Sequence, residues 1–160
     1  MRALLGFAFI ATFLLGCDDE RVYDKNVDFD ARYWLVSEKP VFEFEITDTL
    51  QSYDLSCNVR NSLAYPYARI FITWYLRDST EALLGKKLVS NLLFDDKTGE
   101  PFGNSGLGDI YDHTIPLKVN YRFPYPGKFK VSFEQFMRTD TLSGVLAIGL
   151  RVEKRMPSNQ

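Results

Sequence analysis

The sequence predicts an all-β domain: an antiparallel two-sheet β-sandwich of immunoglobulin-like or jelly-roll-like layout, preceded by a signal peptide and a short tether. Three observations predict it. Short runs of alternating apolar and polar residues recur, as in Val41-Phe-Glu-Phe-Glu-Ile-Thr47; successive strand side chains point to opposite faces, so alternation marks a half-buried strand. Aromatic residues make up 15% of the chain, and such side chains fit the pleated surface of a sheet. Glycine and proline separate the runs, and no helical periodicity follows the N-terminal apolar segment.

That segment comes first. Met1-Arg2 supplies a positive start, and Ala3 to Leu15 is apolar or small apart from Thr12. The run has signal-peptide proportions and is too short for a spanning helix, which needs about 20 apolar residues. Leu14-Leu15-Gly16-Cys17 resembles the lipobox of bacterial lipoproteins: an apolar residue, a variable one, a small one, then cysteine. The resemblance implies cleavage between Gly16 and Cys17 and lipidation of the Cys17 sulfur. Each buried methylene adds about 0.8 kcal/mol of anchoring, so two or more palmitate-sized chains hold a protein stably. Residues 1–16 are thus expected to be the signal peptide, and the polar, acidic 17–32 a lipidated tether. Residues 33–156 are expected to be the sandwich and 157–160 a polar tail.

The strands follow. Val41–Thr47 directs Phe42, Phe44 and Ile46 inward, and Gln51 to Val59 repeats the pattern. Ile70 to Leu76 is nearly all apolar, as a central strand covered on both faces would be. Lys86 to Phe94 is a strand of blurred periodicity. Thr114 to Tyr121 directs Ile115, Leu117, Val119 and Tyr121 inward, and Lys128 to Phe133 directs Phe129, Val131 and Phe133. Leu146, Ile148, Leu150 and Val152 form the last stripe. Roughly seven or eight strands result, with Phe42, Phe44, Ile72, Phe129, Val131, Phe133, Ile148 and Leu150 expected in the core.

Charge and cysteine usage exclude several functions. The net charge is −2, without the basic excess that nucleic acid binding needs. With Cys17 lipidated, Cys57 has no disulfide partner. It falls on the apolar face of its strand, where a free thiol acts as a small hydrophobe. His113 is the sole histidine, and no Gly-x-Ser-x-Gly elbow surrounds a serine. No His/Cys cluster has zinc spacing, and no glycine run forms a phosphate loop or dinucleotide fingerprint. No catalytic residue, metal or cofactor is therefore expected.

Two loops could carry recognition. Asp95–Asp112 is long, acidic and glycine-rich, and loops of that length are commonly functional or disordered. Oxygen ligands and tight turns would suit calcium, but the spacing matches no calcium motif. Phe123-Pro-Tyr-Pro-Gly127 is a tight aromatic turn, echoed by Tyr65-Pro-Tyr67. Its rings would either cap the sandwich or stack on sugars. Asp109, Asp112, Phe123 and Tyr125 are accordingly the candidate partner surface.

Longer stretches carry a fuller resemblance. "CDDERVYDKNVDF", "FEFEITDTLQSYDLSCNVRNSLAYPYARIFI", "GLGDIYDHTIPL" and "FPYPGKFKVSFEQFMRTDTLSGVLAIGLRVEK" resemble, in that order, the gliding-motility lipoproteins of the GldH type. Its most specific pieces are Arg60-Asn61 with Tyr65-Pro66-Tyr67, Gly108-Asp109-Ile110, Glu134-Gln135 with Met137-Arg138, and Gly149-Leu150-Arg151. Thr141 departs from the proline expected there. The resemblance implies a non-enzymatic envelope lipoprotein needed for gliding and tied to type IX protein secretion, with other envelope proteins as partners. Arg60, Asn61, Glu134, Gln135 and Arg138 would then be a fold-holding polar network or a partner surface; independently of the resemblance, Glu134 and Arg138 are charged positions near a strand end and are expected to pair with each other. Asp18-Asp19-Glu20 resembles an export signal to the outer membrane, and equally suits retention on the periplasmic face of the inner membrane. A surface glycan-binding lipoprotein is the alternative function, and an envelope hydrolase is less favoured than either.

Overall fold

A computed structural model of the chain describes residues 20–106 and 108–156, and every regular element in them is a β-strand. The expected signal peptide, with Gly16 and Cys17, and the expected 157–160 tail lie outside the described residues. One antiparallel sheet has five strands in the order β1, β11, β4, β8, β7: Arg21–Asp28, Val145–Lys154, Tyr53–Ser62, Ile110–Tyr121 and Asn104–Ser105. A second has four, in the order β3, β9, β5, β6: Val41–Ile46, Gly127–Gln135, Arg69–Asp78 and Leu83–Leu92. A small pair, β2 (Tyr33–Leu35) with β10 (Thr141–Ser143), completes the fold. The chain changes sheet at most connections, while β5–β6 and β7–β8 pair as hairpins.

The alternating residues bring the two large sheets together as a sandwich. Phe42, Phe44 and Ile46 from β3 meet Tyr53, Leu55, Cys57 and Val59 from β4 in one buried cluster. Ile70, Ile72, Trp74 and Leu76 from β5 join it, with Phe129, Val131 and Phe133 from β9 and Ile148, Leu150 and Val152 from β11. Every residue expected in the core is there. Burial pushes the Cys57 thiol well above its ordinary range, so it stays protonated and fills space. Trp34 and Leu142, paired across β2 and β10, are fully buried, and Trp34 stacks on Phe29 at 5.6 Å.

Four expectations are corrected. Much of the 17–32 tether is a strand: β1 pairs with β11 from Arg21 opposite Glu153 to Asp28 opposite Ala147. It is an edge strand held by its backbone ladder, with only Val22 and Tyr23 leaning on the core, so it shows little apolar pattern. β5 is internal but covered on one face only, since Phe71 and Tyr75 lie on the open side. In β8 the register shifts near Leu55, and Val119 turns out to solvent beside Asn120, whose φ is 55°. In β11 a bulge between Val145 and Ala147 takes Leu146 out of the buried stripe. Extra residues in a strand exchange its faces, and alternation alone does not reveal them.

Candidate functional site

The outer face of the five-stranded sheet carries a polar trough. Strand register sets its rows. Asn26 lies opposite Gly149, Gly149 opposite Asn58, and Asn58 opposite Thr114. The next row runs from Ala147 through Arg60 and Asp112 to Asn104. Gly149 and Ala147 put almost no side chain on the floor, and a cavity of about 270 Å³ results. Glycine is required there: a Cβ at position 149 would sit 1.8 Å from Asn26 Oδ1 and 2.7 Å from the Lys25 carbonyl oxygen.

Paired charges line this trough. Arg151 donates through Nε to Asp24 Oδ2 at 3.1 Å, with its Nη2 at 2.9 Å. Asn58 Nδ2 donates to Asp24 Oδ1 at 3.4 Å, and Thr114 Oγ1 to Asn58 Oδ1 at 3.3 Å. Arg60 makes a fork with Asp112, Nε to Oδ1 at 2.8 Å and Nη2 to Oδ2 at 3.3 Å, the geometry that favours arginine for carboxylates. A second cavity of about 660 Å³ shares Asn104, Asp112, His113 and Thr114 and extends to Arg69 and Phe102. His113 is buried beneath this junction, and its Nε2 has no partner among the described residues. Burial holds its imidazole below the ordinary histidine range, against a weaker pull from Asp112, so it is neutral near pH 7. Gly103, at φ 100°, crosses directly over that ring.

The trough therefore offers hydrogen-bond donors and acceptors in charge-matched pairs. Among the described residues no group of three or more His, Cys, Asp or Glu side chains is placed to hold a metal ion. The Asp95–Asp112 stretch is largely organised. Asp95 Oδ1 accepts from the Lys97 and Thr98 N–H groups at 2.8 Å each, Phe94 bridges to Pro101, and β7 pairs with β8.

The candidate partner residues do not form one surface. Asp112 is in the trough, and Asp109 lies near it, exposed, 4.0 Å from Arg32. Phe123 and Tyr125 follow the opposite end of β8. Phe123 is only 2% exposed, packed with Phe44, Tyr53, Tyr121 and Phe129, so its ring is unavailable to a partner. Tyr125 is exposed, but its hydroxyl donates to Asp78 and ties its turn to the β5–β6 turn.

The candidate polar network also divides. Arg60 faces the trough. Asn61, next along β4, points inward and is fully buried, donating to the Ser62 carbonyl at 3.1 Å. Glu134 lies on the other sheet's outer face, where its partners are Lys39 Nζ at 2.7 Å and the Tyr75 hydroxyl at 2.8 Å. Lys39 first, then Tyr75, holds its carboxyl below the usual range. Gln135 faces inward and pins the chain after β9: its Nε2 donates to the Thr139 carbonyl and its Oε1 accepts from the Met137 N–H, both at 2.8 Å. Arg138 is exposed, and the expected Glu134–Arg138 pair is replaced by Glu134–Lys39.

Sequence reasoning missed Asp24, Asn26, Asn58, Thr114 and Arg151 as neighbours, because only the strand register brings them together. One signal was available. Gly149, a lone glycine inside an apolar strand, marks a close backbone approach.

The two antiparallel sheets and their shared core define the class of small all-β sandwich domains. The chain belongs to the GldH lipoprotein family, whose model matches residues 21–152, from the first residue of β1 into β11. It is 32% identical to the gliding motility lipoprotein GldH homolog of Christiangramia forsetii, over 92% of this chain and 94% of that protein. It is 26% identical to the gliding motility lipoprotein GldH of Flavobacterium johnsoniae, over 91% and 92%. The resemblance read from the sequence is thereby confirmed, and membership makes this a lipid-anchored protein of the cell envelope. Among solved structures, the VP2 subviral particle of infectious bursal disease virus aligns over 86% of this chain and 31% of its own. At 11% identity and a TM-score of 0.38 that likeness carries no argument.

Proposed function

We propose that this protein is a non-enzymatic accessory component of gliding motility and of the linked type IX secretion machinery. In this reading Cys17 carries the lipid, the outer membrane is its site, and the folded domain binds another envelope protein. The observation that supports it most is the match to a relative called a gliding motility lipoprotein across more than nine-tenths of both chains. The trough suits the binding role, because its residues hold one another in place and offer hydrogen bonds rather than reactive groups. Deleting the gene should abolish spreading on surfaces and the export of surface adhesins, and the intact gene should restore both. A deletion strain that spreads normally would end the reading. Asn58→Leu combined with Arg60→Ala should impair spreading at normal protein level, and full spreading would remove the trough from the mechanism.

A second reading, a surface glycan-binding lipoprotein, is favoured by one observation. Phe102, 43% exposed, stands at the far end of the trough beyond its amides and charge-matched pairs. A neutral sugar needs a ring to stack on and mixed donors and acceptors. A glycan array would decide it: binding lost in Phe102→Ala supports this reading, and an array without signal rejects it.

A further inference from the structure

The covalent reach of the chain before β1 constrains how the domain stands on its membrane. Cys17 and Glu20 are three peptide steps apart. A fully extended chain covers at most about 3.3–3.6 Å per residue, so Glu20 lies within about 11 Å of Cys17. The Glu20 carbonyl oxygen accepts from the Lys154 N–H at 2.7 Å, and the Arg155 N–H donates to the Ser52 carbonyl at 2.8 Å. The β3–β4 turn and the end of β11 are thus stitched to the point where the chain leaves for its anchor.

That end of the sandwich has an unusual surface. Leu50 is 87% exposed and Met156 60% exposed. The turn that presents Leu50 is firmly held: its N–H donates to Asp48 Oδ1 at 2.8 Å, and the Tyr53 hydroxyl donates to the Asp48 carbonyl at 2.6 Å. A well-fixed turn that pushes a leucine into solvent suggests an apolar partner for it. Arg122 and Arg155 line one shallow cavity with Leu50 and Met156. Arg155 is paired with Asp54 at 3.1 Å, while the side chains of Arg122 and Lys154 have no ion-pair partner among the described residues. Apolar tips flanked by cations suit a bilayer interface, where leucine reaches the acyl boundary and arginine the phosphates.

We propose that this end of the domain rests on the phospholipid surface that holds the lipidated Cys17, with Leu50 and Met156 dipping into the interface and Arg122 and Lys154 on headgroup phosphates. The proposal rests on the lipid-anchor reading above. It leaves the Asp109 end of the sandwich, opposite along β8, turned away from the membrane and open to partners.

The test uses the full lipidated protein in phosphatidylethanolamine vesicles, labelled with an environment-sensitive fluorophore at Leu50→Cys or, as control, at Leu63→Cys beside Asp109. Cys57 is buried and not expected to react. The label at position 50 should shift to the blue and be quenched several-fold more by spin-labelled lipid than the label at position 63. Equal, water-like emission from both, with lipid found on Cys17 by mass spectrometry, would overturn the surface contact alone. Absence of lipid on Cys17 would overturn the anchor reading and this orientation with it. Arg122→Glu with Lys154→Glu should reduce the quenching at position 50 while leaving the melting temperature in place. Unchanged quenching would remove the phosphate contacts.

Discussion

The outer faces of the two large sheets are both rich in charge, yet one is a trough and the other is filled. On the four-stranded sheet Tyr75 occupies the middle. The Arg77 guanidinium and Lys86 Nζ stand 5.1 and 4.9 Å from its ring centroid, and its hydroxyl reaches Glu134. Lys130 with Glu81 at 2.6 Å and Lys128 with Glu43 at 3.6 Å cover the remainder. The five-stranded face has the same kinds of pairs, Arg60 with Asp112 and Arg151 with Asp24, but glycine and alanine stand between them. A concave site on a sheet is therefore made by what the central positions lack. Polar residues around it become a site only because the floor is low.

Both faces rest on one core, so the largest expected effect is common to both. Phe123→Ala removes a ring packed against four others, the nearest centroid, Phe129, at 4.6 Å. Truncations of this kind cost about 3–5 kcal/mol. Urea unfolding should show that loss, and a midpoint close to wild type would return Phe123 to the surface. Gly149→Ala is next and should affect the trough side alone. The new methyl meets the Lys25 backbone, which cannot turn away as a side chain can, and overpacking costs about 1–3 kcal/mol. Hydrogen exchange should accelerate first in β1. Gly85→Ala in β6 of the other sheet is a milder comparison: it faces inward beside the buried Leu76, and the nearest atoms to its Cβ would be side-chain atoms of Trp74 and Lys118 at 3.1–3.3 Å. If the two alanines cost the same, contact with the Lys25 backbone is not what makes position 149 need glycine. Arg60→Ala is smaller. Its fork with Asp112 is nearly half exposed, and exposed pairs contribute about 0–1 kcal/mol. Its thermal midpoint should barely move, so any loss of function in that variant would report on binding.

The sandwich was legible where burial is one-sided. Phe42, Phe44 and Ile46, or Phe129, Val131 and Phe133, alternate because one face of each strand meets the core. β1 was not legible, because an edge strand held by backbone hydrogen bonds needs no apolar stripe, and Arg21–Asp28 has almost none. The two proline turns show a limit of another kind. Phe123 and Tyr65 precede their prolines and are buried, while Tyr125 and Tyr67 follow and are exposed. Each turn contributes one ring to the core and one to the surface, which composition alone cannot divide. Arg60 and Asp112 were both singled out from the sequence, but their pairing, and the company of Asp24, Asn58 and Arg151, comes from strand register.

The smallest expected effect concerns the link between the faces. The β8–β9 turn carries the chain from the five-stranded sheet to the four-stranded one, and the Tyr125 hydroxyl fastens it to Asp78 at the end of β5. Tyr125 first, then the Thr80 hydroxyl and the Thr80 and Ala82 N–H groups, bring the Asp78 carboxyl down from 3.8 to about 2. A carboxylate whose folded value is depressed stabilises the fold at pH above its unfolded value, and that contribution is lost as pH falls through the folded one. The link should be intact at pH 5, weaken below about pH 4 and be largely lost by about pH 2. Asp78→Asn removes the titration, so its thermal midpoint should fall less than wild type between pH 5 and pH 2, from a lower start. Tyr125→Phe removes the leading cause alone and should lie between them. Parallel curves for all three proteins would show that Asp78 carries no pH-dependent hold on the turn, leaving the packing of the Phe123 and Tyr125 rings on Phe129 to join the two sheets there.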